Sequence, residues 1–147
     1  MILDVILRVG TKLFLPFILV FAFYVQWHGD FGPGGGFQAG VIVAAGVILY
    51  AIVFGTAAAE KAVPRALAEA MVPLGVMIYV GVGIWSLAQG ANYLDYDALL
   101  HWPDPSHHEA IEGQHWGVFT IEIGVLITVS STMLTIFYNF AGRGRPE

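Results

Sequence analysis

The chain has 147 residues, of which 57% are hydrophobic and 12% are charged, and its formal net charge is −5. Soluble domains carry about 25% charged residues, so this composition excludes an ordinary water-soluble domain. The net negative charge argues against a nucleic-acid partner. The absence of cysteine excludes disulfides and thiolate metal ligands.

Four long stretches almost without charge follow one another along the chain. A helix needs about 20 apolar residues to cross the hydrocarbon core of a bilayer. The sequence therefore predicts an all-α integral membrane protein with four transmembrane helices, in which residues 1–147 form a single membrane domain. The predicted spans are 9–27, 36–59, 70–90 and 116–140, and the longest connection is an outer loop at 91–115.

The basic residues predict the orientation of these helices. All six fall at the two termini or in the connection between the second and third spans: Arg8, Lys12, Lys61, Arg65, Arg143 and Arg145. Because basic residues are retained on the cytoplasmic side, both termini are predicted to be cytoplasmic. The opposite side is acidic, and two interpretations stay open: an ordinary solvated loop surface, or a surface that concentrates cations at the mouth of a pathway.

A glycine-rich stretch, HGDFGPGGGFQAGV, connects the first span to the second. It lacks the Lys and Ser/Thr of a Walker A loop, and no strand precedes it as in a dinucleotide-binding turn. We predict a tight turn, followed by a face of small residues that allows close helix packing. The face comprises Gly36, Gly40, Ala44, Ala51, Gly55 and Ala58. An ion-contacting role for the backbone amides, with Asp30 or Gln38, is the alternative.

The turn carries a family resemblance through the motif residues Pro33, Gly34, Gly35, Gly36, Phe37 and Gly40. This motif resembles the signature of the MnhB-like family, one of the membrane components of the multi-subunit Na+/H+ antiporters of the Mrp/Mnh type. The resemblance implies a multi-pass protein of a bacterial or archaeal cell membrane. It also implies other membrane subunits as partners, no cofactor, and a complex that transports Na+ and H+. Related membrane modules occur in ion-pumping hydrogenases.

The long connection contains several histidines, and three potential metal ligands have helical spacing: His108, Glu112 and His115. Three ligands on one helical face could hold a metal ion. This spacing is common by chance, so we predict no metal site. Polar loop histidines that titrate near neutral pH are the preferred interpretation.

Glu122 is the one ionisable residue inside the fourth span. A carboxylic acid within the bilayer normally faces protein or water and is a functional candidate. Its own helical face is apolar, so a polar partner must come from another helix, in this chain or in another. We predict Glu122, Asp30 and His115 as candidates for an ion pathway. Interhelical hydrogen bonding and snorkelling to the headgroups are alternative roles for Glu122.

Taken together, these features predict an accessory membrane subunit of a multi-subunit Na+/H+ antiporter, packed against the ion pathway and lining part of it. The sequence offers no catalytic constellation, so we do not expect an enzyme. One buried acid is too little for a complete exchanger. The alternatives are a structural membrane subunit of a redox-driven ion pump, and a small transporter or channel formed by copies of this chain alone.

Overall fold

The computed structural model describes residues 2–29, 32–100 and 108–142. Within these ranges the chain is helical: α1 (Ile2–Trp27), α2 (Gly36–Phe54), α3 (Thr56–Ala62), α4 (Arg65–Ala88) and α5 (His108–Ala141), with a short 3-10 helix at Tyr96–Leu100. Four of the helices, α1, α2, α4 and α5, are long and apolar enough to cross a membrane. The predicted all-α class with four candidate membrane spans is confirmed.

Local sequence explains where several helices begin and end. The stretch 36–59 holds two helices, because α2 stops at Gly55, whose positive φ of 90° suits glycine and ends the helical geometry. Pro64 directly precedes α4, where its missing N–H removes no helical hydrogen bond. The helix α5 begins at His108, so it includes the last residues of the predicted loop 91–115.

The helices are arranged in the order α1, α2, α5, α4, with α2 and α5 at the centre. In α2, Gly46 faces Leu15 and Ile18 of α1, whereas Gly40 faces Leu126 and Val129 of α5. Consecutive spans alternate in direction, so the central helices α2 and α5 run parallel to each other. We call the end with the α1–α2 connection the turn end, and the end with α3 the terminus end.

Glycine allows α4 and α5 to approach closely near their centres. A Cβ atom added to Gly75 of α4 would overlap the carbonyl oxygen of Gly124, and one added to Gly124 would lie 2.8 Å from the Gly75 carbonyl oxygen. The Thr128 hydroxyl donates a hydrogen bond across this contact to the Val72 carbonyl oxygen (3.3 Å). Small residues and a hydroxyl at a helix interface are typical of membrane bundles.

The flanking helices α1 and α4 present large apolar side chains to the surroundings. More than half of each of these side chains is exposed: Phe14, Phe17, Val20, Phe21 and Trp27 on α1, and Met77, Ile84 and Trp85 on α4. Such surfaces are unfavourable in water and suit lipid. The buried core is correspondingly small and lies between α2, α3, α4 and α5, around Ala44, Ala51, Leu134 and Tyr138.

The connection after α4 folds back onto the turn end. The Ser86 hydroxyl, fully buried, donates to the carbonyl oxygens of Val82 (3.1 Å) and Asp95 (3.0 Å). The Tyr93 ring lies on Gly83, and Tyr96 lies on Gly117 of α5. Burial, with a smaller contribution from Tyr79, raises the pKa of Tyr96 above its ordinary value of 10.0. The hydroxyl of Tyr96 is therefore protonated at neutral pH.

At the terminus end, Arg65 and Tyr138 join the short helix α3 to α4 and α5. Arg65 Nε donates to Glu60 Oε1 (2.9 Å), and Arg65 Nη2 donates to the Tyr138 carbonyl oxygen (3.2 Å). The Tyr138 hydroxyl donates to the Val63 carbonyl oxygen (3.0 Å), and Tyr138 is only 1% exposed. We call these four residues the terminus-end cluster.

Candidate functional site

The glycine-rich turn folds back on the last turn of α1. The Val25 carbonyl oxygen accepts hydrogen bonds from the backbone N–H groups of His28 (3.3 Å) and Gly35 (3.1 Å). A Cβ atom on Gly34 would lie 2.7 Å from the same oxygen. Gly35 has a φ of 105°, which L-residues with side chains rarely adopt. The consecutive glycines are therefore required by the path of the backbone.

Glu122 of α5 lies directly against this turn. Its carboxylate oxygens are 2.5 and 2.8 Å from the position that a Cβ atom on Gly29 would occupy, and one of them is 2.7 Å from that position on Gly35. A Cβ atom on Gly36 would overlap the backbone carbonyl oxygen of Glu122. Gly29 and Gly35 thus border the acidic side chain, where a larger residue would displace it, and Gly36 packs against the backbone of Glu122.

The same turn contains the amino-terminal end of α2. Gly35 precedes the helix and supplies no side-chain cap, and Ala39 donates to the Gly35 carbonyl oxygen (3.1 Å). The N–H groups in the first turn of a helix lack intrahelical acceptors and carry partial positive charge. A carboxylate beside this end is electrostatically favoured. The α1–α2 turn of the same chain therefore provides part of the polar surroundings of Glu122.

The other predicted site residues are distributed differently. His115 is exposed two turns away from Glu122 along α5, and its ring contacts Trp116 edge to face with centroids 6.2 Å apart. Pro33 and Phe37 of the motif are also exposed, whereas Gly40 packs on α5. Asp30 lies outside the described residues.

The structure describes nothing of the side chains of His108 and Glu112. Two of the three candidate metal ligands therefore lie outside the described side chains. Among the side chains that are described, no group of three His, Cys, Asp or Glu residues could hold a metal ion.

Gln26 was not identified by sequence reasoning. It lies near the turn end of α1, it is 3% exposed, and neither Nε2 nor Oε1 has a hydrogen-bond partner among the described residues. The aromatic sequence around it, FAFYVQW, is typical of a membrane interface. Helical spacing from Ala22, which shares its face of α1, was the signal available to identify it.

Aromatic rings close the space between α1 and α5 beside these polar groups. The rings of Trp27 and Phe119 are 4.8 Å apart, and Trp116 contacts Phe119 edge to face at 6.1 Å. The ring of His28 stacks on Tyr24 with centroids 5.4 Å apart. The site therefore comprises a carboxylate bordered by glycines, a buried amide three residues before Gly29, and aromatic rings at the same end of α1 and α5. Such a group can take up a proton, contact a cation or fix the packing of three helices.

Comparison with known proteins gives a consistent result. A family model described as "Domain related to MnhB subunit of Na+/H+ antiporter" matches residues 6–135. The chain is 30% identical over 141 residues to a Staphylococcus haemolyticus protein named "Putative antiporter subunit mnhB2", with 95% of each chain covered. Proteins of the same name in Staphylococcus epidermidis and Staphylococcus aureus are 29% and 28% identical over 140 residues, with the same coverage.

Proposed function

Because the chain belongs to the family of domains related to the MnhB subunit of Na+/H+ antiporters, we propose that it is an accessory membrane subunit of a multi-subunit antiporter. The complex exchanges Na+ or another monovalent cation for H+. The observation that carries this proposal is the family match over residues 6–135, which covers all four candidate membrane spans almost completely.

The distribution of charge supports an accessory role. Of the described residues in the four spans, Glu122 is the one carboxylic acid away from the terminus end. A complete exchanger needs a route for cations as well as protons, and one acid against a glycine wall provides too few ligands for both. The exposed apolar faces of α1 and α4 are available to lipid and to other membrane subunits. Sibling subunits supply the remainder of the pathway.

The arrangement of basic residues supports an orientation with both termini in the cytoplasm. The described basic residues all belong to the terminus end: Arg8, Lys12, Lys61 and Arg65. Lys12, for example, lies over the Phe54 ring at the end of α2 (5.5 Å). Basic residues are retained on the cytoplasmic side. The turn end, with Glu122, then faces the outside of a bacterial or archaeal plasma membrane.

Glu122 is the residue of this chain that contributes to the ion pathway. The carboxylate is half-buried rather than fully exposed to lipid, and it contacts the backbone at Gly29 and Gly35. These features argue against simple snorkelling to the headgroups. A glycine wall also lets water or an ion approach the carboxylate without steric hindrance from side chains. A packing role requires only the size and polarity of the Glu122 side chain, whereas a pathway role requires a group that can carry a charge.

The test is Glu122→Gln in the assembled complex, measured as cation-dependent proton movement in everted membrane vesicles. Glutamine matches glutamate in size and keeps an accepting oxygen, so assembly is expected to be retained. A positioned proton-transfer group contributes on the order of a hundredfold in rate, and we expect a loss of that order. Glu69→Gln, on an exposed part of α4 at the terminus end, is the matched control and retains wild-type antiport.

Wild-type antiport from Glu122→Gln would remove this residue from the pathway. Native purification of a tagged chain, followed by mass spectrometry, tests the complex itself. Co-purification with iron–sulfur or hydrogenase subunits would instead identify the complex as a redox-driven ion pump. Ion flux from the purified chain alone in liposomes would contradict an accessory role.

A further inference from the structure

The buried amide of Gln26 is not explained by the packing of the bundle. It is 3% exposed, and neither of its polar atoms has a hydrogen-bond partner among the described residues. A buried amide without hydrogen bonds is costly, and buried polar groups in proteins are almost always bonded to protein or to water. A side chain of this kind therefore indicates a bound molecule of small size.

Its position along α1 relates Gln26 to Glu122. Gln26 shares a face of α1 with the fully buried Ala22, and Gly29 lies three residues after Gln26, in the turn that directly follows α1. Gly29 borders the Glu122 carboxylate. Because three residues span about 5 Å along a helix, Gln26 lies about that far before this contact along the chain, on the bundle side of the turn. The ring contact between Trp27 and Phe119 joins α1 to α5 beside it.

The hydrogen-bonding groups of the Gln26 amide indicate which small molecule it binds. An almost completely covered side chain is out of reach of lipid headgroups and of side chains from another subunit. A cation would engage only Oε1 and leave the two N–H donors unbonded. Water donates and accepts, and it typically makes about three hydrogen bonds to buried polar groups. Water is the one small molecule that satisfies both ends of the amide.

We propose that Gln26 binds a buried water molecule that links its amide to the Glu122 carboxylate. The two side chains are then one hydrated polar site, which extends from the Glu122 contact into the last turn of α1. The water site follows from the geometry of this chain. Its role in proton movement rests on the proposed function, and the two parts are tested separately.

The first test detects the water directly. The chain has four glutamines, of which Gln38, Gln89 and Gln114 are exposed. The full chain is labelled with side-chain ¹⁵N-glutamine, placed in lipid nanodiscs, and studied by NMR for cross-relaxation between amide protons and water. The Gln26 signal is assigned by its loss in Gln26→Met. We expect a cross-peak to long-lived water at Gln26 and only solvent exchange at the three exposed amides.

Glu122→Gln then adds a fifth labelled amide at the other end of the proposed link. We expect this amide to show a cross-peak to the same class of long-lived water. The absence of a water cross-peak at Gln26 would overturn the proposal, and so would its absence at the amide introduced by Glu122→Gln. These outcomes do not depend on which complex the chain belongs to, so they are independent of the proposed function.

The second test separates function from packing. Gln26→Met in the assembled complex keeps side-chain length but removes the hydrogen-bonding atoms, so thermal stability is expected to be equal or higher. Antiport is expected to fall about tenfold, the factor that corresponds to about 1.4 kcal/mol and to roughly one hydrogen bond. Thr135→Val, which removes the buried, unpartnered Oγ1 of α5 nearer the terminus end, retains antiport. Unchanged antiport in Gln26→Met would overturn the role of the site in proton movement.

Discussion

The two ends of the bundle differ in the hydrogen bonds of two buried polar side chains, Tyr138 and Gln26. At the terminus end, the Tyr138 hydroxyl and the Arg65 guanidinium are hydrogen-bonded within the chain, to Val63, to Glu60 and to the Tyr138 backbone. At the turn end, the Gln26 amide lacks such partners among the described residues. The Glu122 carboxylate there is walled by glycine Cα atoms. Buried polar groups that serve only stability are normally satisfied internally, so the Gln26 amide favours a functional role for its end of the bundle. The division concerns these two sites rather than every polar group, because Thr135 near the terminus end also has an unpartnered Oγ1 and Ser86 at the turn end is bonded.

The largest expected effect is the loss of the α2–α5 contact at the turn end. A Cβ atom in Gly36→Ala would overlap the backbone carbonyl oxygen of Glu122, and a backbone atom cannot rotate away. Overpacking typically costs about 1–3 kcal/mol, and we expect the upper end of that range. The measurement is thermal unfolding of the detergent-solubilised, fluorescently tagged chain, together with the yield of assembled complex.

Gly81→Ala is the control for that substitution, because no atom lies within 4 Å of a Cβ at this exposed position of α4. An exposed helical glycine costs about 1 kcal/mol relative to alanine, so Gly81→Ala is expected to maintain or raise the unfolding temperature. Equal unfolding temperatures for the two variants would show that the close contact between α2 and α5 is not needed.

An intermediate effect is expected at the terminus end. Arg65→Met removes the hydrogen bonds to Glu60 and to the Tyr138 carbonyl oxygen, as well as the contact with the Tyr138 ring (5.7 Å). Because the Arg65–Glu60 pair is partly exposed, solvent weakens it, and we expect a total loss of about 1–2 kcal/mol. Antiport per assembled complex remains unchanged. A changed pH profile of antiport in this variant would contradict the division between the two ends.

The smallest effect on stability, with a clear effect on function, is expected for Gly29→Ala. The added methyl group meets the Glu122 carboxylate oxygens, which can move aside, and the Gly35 Cα atom at 2.9 Å, which requires a small shift of the turn. We expect a loss of about 1 kcal/mol but a reduced antiport rate, measured in vesicles at equal complex levels. The control Gly32→Ala places its methyl group at an ordinary contact, 3.4 Å from the His28 ring. Equal antiport rates in Gly29→Ala and Gly32→Ala would show that the position of the Glu122 carboxylate does not affect transport.

Composition and periodicity were sufficient to predict the helical class and the number of candidate spans. A run of about 20 apolar residues rarely forms anything other than a membrane-spanning helix. The face of small residues on α2 was predicted from spacing, and Gly36, Gly40, Ala44 and Ala51 are buried. Gly55 and Ala58 are not part of this face. The helix ends before them, at a positive φ that the apolar pattern did not reveal.

The surroundings of Glu122 could not be predicted, because they depend on which helices are neighbours. A helical wheel gives the direction of a side chain along its own helix but not the element that it meets. Here the neighbour is the turn that contains Gly29 and Gly35, more than 80 residues earlier in the chain. Gln26 was missed for a related reason, since a glutamine among aromatic residues at a helix end resembles an interface residue.

The parallel packing of α2 and α5 has a consequence for biogenesis. A polytopic chain leaves the ribosome from its amino terminus, so α2 enters the bilayer well before the segment that covers its glycines. Until α5 has been synthesised, the glycine backbone of the motif is not covered by its own chain and has to be shielded by the insertion machinery or by a sibling polypeptide. Premature termination after α4 would leave this surface without its partner helix.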